Sequence, residues 1–244
     1  MQEPLYVIPD IHGYKDKLDA ALGLIEAEGG VQARVVFLGD LVDRGPDSRG
    51  VIQTLIDGIA EGRDWTVIRG NHDQLFLEFL DSGQITSPRL RDSLTWISKT
   101  MGAQETLASY GITVSEADPN WNAARQAVPD AHRAFLASLP LTLHTEDLIL
   151  VHAGIMPGVP LGLQTAEDLM WIREPFLSDP RDHGKLIVHG HSPVQWPEHH
   201  GNRVALDGGA GWGRDLHVAV FEGRDCWLLS THGREALLPR DVTL

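Results

Sequence analysis

Apolar residues in this chain gather in short runs that stop at glycine and a polar side chain. Five such runs are LYVIPDIHG (5–13), VVFLGDLVDRG (35–45), TVIRGNHD (66–73), LILVHAG (148–154) and LIVHGH (186–191). Each opens on β-branched or aliphatic residues and predicts a buried strand followed by a tight turn. Between them the periodicity changes. Leu18, Ala21, Leu22 and Ile25 share one helical face, closed by Gly29 and Gly30. Val51, Ile52, Leu55, Ile56 and Ile59 share another, and Leu75, Phe76, Phe79 and Leu80 a third. Strand, turn, helix, strand is the βαβ pattern of an α/β fold.

Residues 82–140 carry a mixed polar and apolar pattern that predicts helices, with no run of the first kind. This stretch is expected to form an insertion beside the sheet. After His191, VALDGG, LHVAVFEG and CWLLSTHG predict an antiparallel meander. No repeat, low-complexity segment or linker interrupts the chain, so residues 1–244 are expected to form a single domain.

Composition narrows the function classes. The chain has 244 residues, enough to bury a substantial core. Its formal net charge of −14 argues against a nucleic-acid partner, which would need a basic stripe. The single cysteine, Cys226, lies in an apolar run and reads as a small buried hydrophobe. No run approaches the ~18 apolar residues of a membrane helix, so no membrane partner is expected. MQEPLYVIPD lacks the basic and apolar regions of a secretory leader, which makes the cytoplasm the expected compartment. The oligomeric state is left open.

The chemistry sits where the runs end. In open α/β sheets ligands bind outside the carboxyl ends of strands. Each run presents Asp, Asn or His there, among them Asp10, His12, Asp40, Asn71, His152 and either His189 or His191, and oxygen and imidazole donors suit manganese, iron or zinc. Asp10 and His12 lie two apart, and point the same way if the backbone stays extended.

GDLVDRGPDS and RGNHD are the most specific signals. With D-x-H-G, H-A-G and G-H-S-P they follow a known order from Asp10 to about Phe221. The chain thereby resembles the calcineurin-like metallophosphoesterases, and within them the phosphoprotein phosphatase branch with its small phage and bacterial Ser/Thr phosphatases. The resemblance implies a βαββα sandwich with mixed sheets and a metal site at the strand ends. It implies two divalent metal ions, manganese foremost, with iron or zinc as alternatives. Asp10, His12 and Asp40 would hold one, and Asp40, Asn71, His152 and His191 the other. Of the two histidines in LIVHGH, the G-H-S-P pattern selects His191 over His189. Hydrolysis would proceed by direct attack of a metal-bridging hydroxide. Arg44 and Arg173, the latter in WIREP, match phosphate-gripping arginines. His72 matches the general acid, with Asp43 as its partner.

LDGGA (206–210) and the serine of GHSP depart from the commoner family pattern without removing a ligand. Trp96, Trp171 and Trp196 are expected mainly as packing. The other histidines, 132, 144, 183, 199, 200, 217 and 232, attract no functional reading. The expected substrates are phosphoserine and phosphothreonine in proteins, or another small phosphate ester. The alternative is a dinucleoside tetraphosphate hydrolase. Asp43 weighs against the symmetrical branch of those hydrolases, which typically lacks it. A third reading, an inactive interaction module, conflicts with the presence of every ligand position.

Overall fold

The computed structural model describes residues 3–240. All five ligand-ended runs are strands: β1 (Leu5–Ile8), β2 (Arg34–Phe37), β3 (Trp65–Val67), β5 (Leu148–Val151) and β6 (Leu186–His189). β4 is Thr142–His144, β7 Glu198–His199, β8 Arg203–Ala205, β9 Val218–Glu222, β10 Asp225–Ser230 and β11 Gly233–Ala236. They form two mixed sheets, one in the order β11-β10-β9-β1-β2-β3, the other β4-β5-β6-β8-β7. β1, β2 and β3 run parallel, as do β5, β6 and β8.

The helices are α1 (Lys15–Gly29), α2 (Ser48–Ala60), α3 (Asn71–Ser82), α4 (Ala103–Ser109), α5 (Trp121–Ala127), α6 (Asp130–Ser138) and α7 (Ala166–Trp171). Strands fully buried on both faces explain the unbroken apolar runs. One face of β1 and β2, through Val7, Val36 and Leu38, meets Leu148, Leu150, Leu186 and Val188 of the second sheet. The other face, through Ile8, Val35 and Phe37, packs on Leu18, Ile25, Val51, Leu55, Phe76 and Phe79. Leu169 covers the outer face of the second sheet beside Ile149, Val151 and Ile187. The result is the expected α/β sandwich of two mixed sheets clad in helices. Cys226 is buried between the sheets, and burial pushes its thiol up to about 12. No helix among the described residues is long and apolar enough to cross a membrane.

Three expectations change. The meander is β9-β10-β11 alone, because Val204 belongs to β8 and pairs in parallel with Val188 of the other sheet. The stretch 82–140 is helical only from residue 103, at α4, α5 and α6. Before that, Gly83 takes a left-handed conformation that ends α3, and Pro88 lies soon after. Turns then take the place of a helix: Thr95 N–H donates to the Ser98 side-chain Oγ at 2.9 Å, and the backbone N–H of Trp96 to the Ile85 carbonyl at 2.6 Å. Third, the backbone from Asp10 to His12 is not extended. His12 has φ 50°, and the N–H groups of Ile11 and His12 both donate to the Asp40 carbonyl.

Candidate metal centre and phosphate site

The parallel strands of both sheets end on one side, and their following turns meet there. Non-glycine residues adopt left-handed φ at His12 (50°), Asp40 (50°), Asp43 (74°), Arg44 (70°) and His191 (62°). Each such residue costs about 1–3 kcal/mol and persists only where surrounding structure enforces it. Two glycines permit the close approach of the loops. A Cβ on Gly70 would meet Asp40 Oδ1 at 2.2 Å, and one on Gly190 would meet Asp10 Oδ1 at 2.0 Å.

Asp40 is the centre of this arrangement. Its Oδ2 lies 3.6 Å from His12 Nε2 and 4.0 Å from His72 Nε2. Its Oδ1 lies 3.4 Å from His152 Nε2. One carboxylate thus faces two imidazole groups with different oxygens. His191 completes the second set, and the ligand-type atoms of His12–Asp40–His72 and of Asp40–His152–His191 each lie within 4.8 Å of one another. Asp10 flanks both, accepting from His191 N–H at 3.1 Å with each oxygen.

The donors are oriented for cations. His12 Nδ1 gives its proton to the Val42 carbonyl and His152 Nδ1 to the Leu38 carbonyl, each at 2.8 Å. Their Nε2 lone pairs therefore turn inward. His152 Nε2 faces Asn71 Oδ1 at 2.9 Å, and His191 Nδ1 faces the same oxygen at 2.8 Å. His191 Nε2 is buried without a partner. Burial pushes Asp10 and Asp40 well above the usual carboxylate range, with neighbouring Asp207 and Asp73 next in effect. It pushes His12 and His191 well below their ordinary value and His152 down to about 4. Acids are pushed toward acceptor-poor neutrality while imidazoles keep free lone pairs; divalent cations reverse that logic. The oxygen and nitrogen donor set fits such ions, and the thiol of Cys226 takes no part.

His189 plays another part. Its Nδ1 contacts the Gly190 carbonyl at 3.1 Å, its Nε2 faces Arg203 at 3.4 Å, and its ring packs edge-on against Phe176. Both of its ring nitrogens are thus engaged away from Asp40.

Next to the cluster, His72 Nδ1 and Asp43 Oδ2 are 2.6 Å apart. Asp43 is fully buried, which raises it to about 7 despite donors from Thr106 and Trp96. Thr106 Oγ1 donates to Asp43 Oδ1 at 2.7 Å, and the Trp96 indole donates to Oδ2 at 2.8 Å. His72 Nε2 accepts from Arg44 Nη2 at 3.1 Å, while Arg44 Nη1 reaches His12 Nε2 at 2.5 Å. Burial first, then Arg44, pushes His72 well below its ordinary value. The Arg44 guanidinium lies 4.4 Å from the centre of the Trp212 ring.

These groups open into a cleft of about 710 Å³ lined by His12, Asp40, Arg44, Asn71, His72, Arg173 and His191. Asp10, Asp43 and His152 lie behind its wall. Arg173 is exposed and follows α7. Arg89, Arg91 and Met101 line the cleft too, so the stretch 82–140 forms one of its walls. Trp171 and Trp212 line it as well, whereas Trp96 is core and Trp196 lies outside against His217.

Sequence reasoning missed several contributors. Asp73 is fully buried and ties two ligand loops together, accepting from Leu41 N–H and Gly70 N–H at 2.9 Å each. Its place in RGNHD, three residues past the helix-opening glycine, is the capping position that signals such a role. Thr106 and Trp212 carried no such signal. Asp207 is buried beside Asp10 and accepts from Gly209 N–H.

Known proteins resemble this chain in sequence and in fold. The bis(5'-nucleosyl)-tetraphosphatase PrpE [asymmetrical] of Oceanobacillus iheyensis is 26% identical over 261 residues, covering 97% of this chain and 95% of that protein. A symmetrical bis(5'-nucleosyl)-tetraphosphatase from Delftia acidovorans is 30% identical over 153 residues. That match covers 63% of this chain and only 45% of that protein. The solved structure of a putative diadenosine tetraphosphatase superposes with a TM-score of 0.67 at 20% identity, covering 96% of both chains, which bears on the fold. Residues 3–221 match the family model of the calcineurin-like phosphoesterases, and the chain is a member of that metal-dependent family of phosphoesterases.

Proposed function

We propose that this chain is a dinuclear-metal hydrolase whose substrates are dinucleoside tetraphosphates. Asp10, His12 and Asp40 would hold one divalent ion, and Asp40, Asn71, His152 and His191 the other, with manganese the favoured metal. When bound, such a pair lowers the pKa of a shared water and polarises a phosphoryl oxygen.

The observation that carries the reading is the position of Asp40 on the floor of a cleft that also holds arginines and tryptophans. Each of its carboxylate oxygens faces a different imidazole group. Above it, Arg44 and Arg173 line the same cleft as Trp171 and Trp212. Guanidinium forks match phosphate oxygens bidentately, and indole faces stack on bases. Polyphosphate and base are the two recognition elements of a nucleotide. The names of the relatives from Oceanobacillus iheyensis and Delftia acidovorans support the same substrate class.

A second reading, hydrolysis of phosphoserine and phosphothreonine in proteins, is favoured by one observation. His72 and Asp43 form a buried pair at 2.6 Å, and an alkoxide leaving group needs a proton donor more than a phosphate leaving group does. One experiment separates the two. Diadenosine tetraphosphate and a phosphopeptide panel are compared at equal enzyme with Mn²⁺ supplied. The first reading expects kcat/KM to favour the dinucleotide. Preference for the peptides would replace it with the second.

A further inference from the structure

A second cavity of about 570 Å³ adjoins the cleft, and the two share Arg89, Glu167 and Trp171 as walls. Arg89 stands on the stretch 82–140 and Glu167 on the first turn of α7, and the two pair across the boundary. On the near side lies the Asp40 cluster, and none of its ligand-type residues lines the far cavity. That cavity is walled by Trp171, Met170 and Leu141, with the amides of Gln74 and Gln84 and the guanidinium of Arg69 among them. Arg69 is braced by the carbonyls of Ala137 and Leu139, and its Nε is buried without a partner.

We propose that this second cavity is a binding site for a nucleoside: the distal one of a dinucleoside polyphosphate whose scissile phosphate lies at the Asp40 cluster. The proposal rests on the nucleotide reading above and extends it. A dinucleoside polyphosphate has two aromatic ends joined by an anionic chain. A complementary surface therefore needs two partly apolar compartments with cations between them. Trp212 and Trp171 serve the near compartment. Trp171, Met170 and Leu141 serve the far one, where amide groups can pair with the polar edge of a base. Arg89 sits where the chain must cross, and an anionic phosphate would compete with Glu167 for its guanidinium. A substrate with one nucleoside, or none, has nothing to place beyond that boundary.

The test fills the far cavity and leaves the near one alone. Ala166 lines it but not the near cleft, and is exposed at the start of α7. Ala166→Trp is compared with wild type on diadenosine tetraphosphate, adenosine 5'-tetraphosphate and nitrophenyl phosphate. Ser87→Trp, on the stretch 82–140, is the second variant, in case the first perturbs α7. Both should raise KM for the dinucleotide about tenfold, the scale of losing one base stack, with kcat and the other two substrates unchanged. Equal changes on all three substrates, or none on any, would overturn the far site while leaving the nucleotide reading standing. A wild-type enzyme that turns over nitrophenyl phosphate but neither nucleotide would overturn both.

Discussion

The indole N–H of Trp96 donates to Asp43 Oδ2 at 2.8 Å, the same oxygen that faces His72 Nδ1. Trp96 is fully buried, stacks on Phe76 and packs at a tilt against Phe79 of α3, the helix that begins with Asn71 and His72. A stretch that supplies none of the proposed metal ligands thereby reaches into the His72–Asp43 pair beside them. Thr106 of α4 does the same from the other oxygen.

Trp96→Phe should keep the packing and lose the donor. Asp43, already raised to about 7 by burial, would rise further and carry less charge at neutral pH. His72 would lose its partner for protonation. We expect kcat for alkyl phosphates to fall about tenfold, a barrier change of ~1.4 kcal/mol. KM and metal content should stay constant, and nitrophenyl phosphate should be slowed far less. Uniform slowing with metal loss would mean that Trp96 acts through the fold alone.

The strand runs and their endings were legible because burial on both faces leaves unbroken apolar runs, and because the turns must supply polar atoms where strands stop. Nine of the ten predicted site residues come together for the same reason, and Arg173 reaches the cleft from the end of α7. What stayed hidden depends on long-range placement. Trp96 and Thr106 meet Asp43 across sequence separations of 53 and 63 residues, and neither neighbourhood announces it. The left-handed turn at His12 was also invisible, since it is held by a carbonyl far along the chain, that of Asp40, which accepts from Ile11 and His12 N–H. Residues 83–102 read as helix because composition was ordinary, whereas side-chain-to-backbone bonds at Thr95 and Ser98 settle the matter locally.

Asp40→Asn tests the bridge. A neutral amide offers one oxygen to two cations, and both imidazole sets lose their shared anion. Chelated wild-type protein should regain activity on adding Mn²⁺, and its melting temperature should rise with metal concentration. Asp40→Asn should bind fewer ions per chain by elemental analysis and gain less stability from Mn²⁺. Full occupancy with two ions in the variant would remove Asp40 from the bridging position.

His132 sets an acid sensitivity away from the metals. Its Nδ1 is 2.8 Å from the Tyr110 hydroxyl and its Nε2 is 2.9 Å from Gln53 Oε1. Burial, then Arg49, lowers its pKa from the ordinary 6.5. A folded-state value below the unfolded one means that the unfolded chain takes up the proton first as pH falls. The contribution is present above about pH 6.5 and is lost on going down through the folded-state value. Urea unfolding from about pH 7.5 to about pH 5 should show His132→Gln losing less stability than wild type, since an amide takes up no proton. Titration in the metal cluster is common to both proteins and cancels in the difference. Identical slopes would show that His132 does not contribute.

His72→Asn separates proton delivery from metal binding. His72 stands in the same close triplet as His12 and Asp40, yet its Nδ1 is taken by Asp43 and its Nε2 by Arg44. Burial, then Arg44, opposes its charge. A phosphate dianion beside Arg44 removes that opposition, and the proton arriving on Nε2 then points at the departing oxygen while Asp43 stabilises the imidazolium. An alkoxide needs this proton, a nucleotide phosphate needs it less, and nitrophenolate hardly at all. The variant should therefore lose about 10²- to 10⁴-fold in kcat on phosphoserine peptides, with the smallest loss on nitrophenyl phosphate. Ions bound per chain should remain as in wild type. A fall in metal content would make His72 a ligand, and equal slowing across the leaving groups would end the case for it as the proton donor.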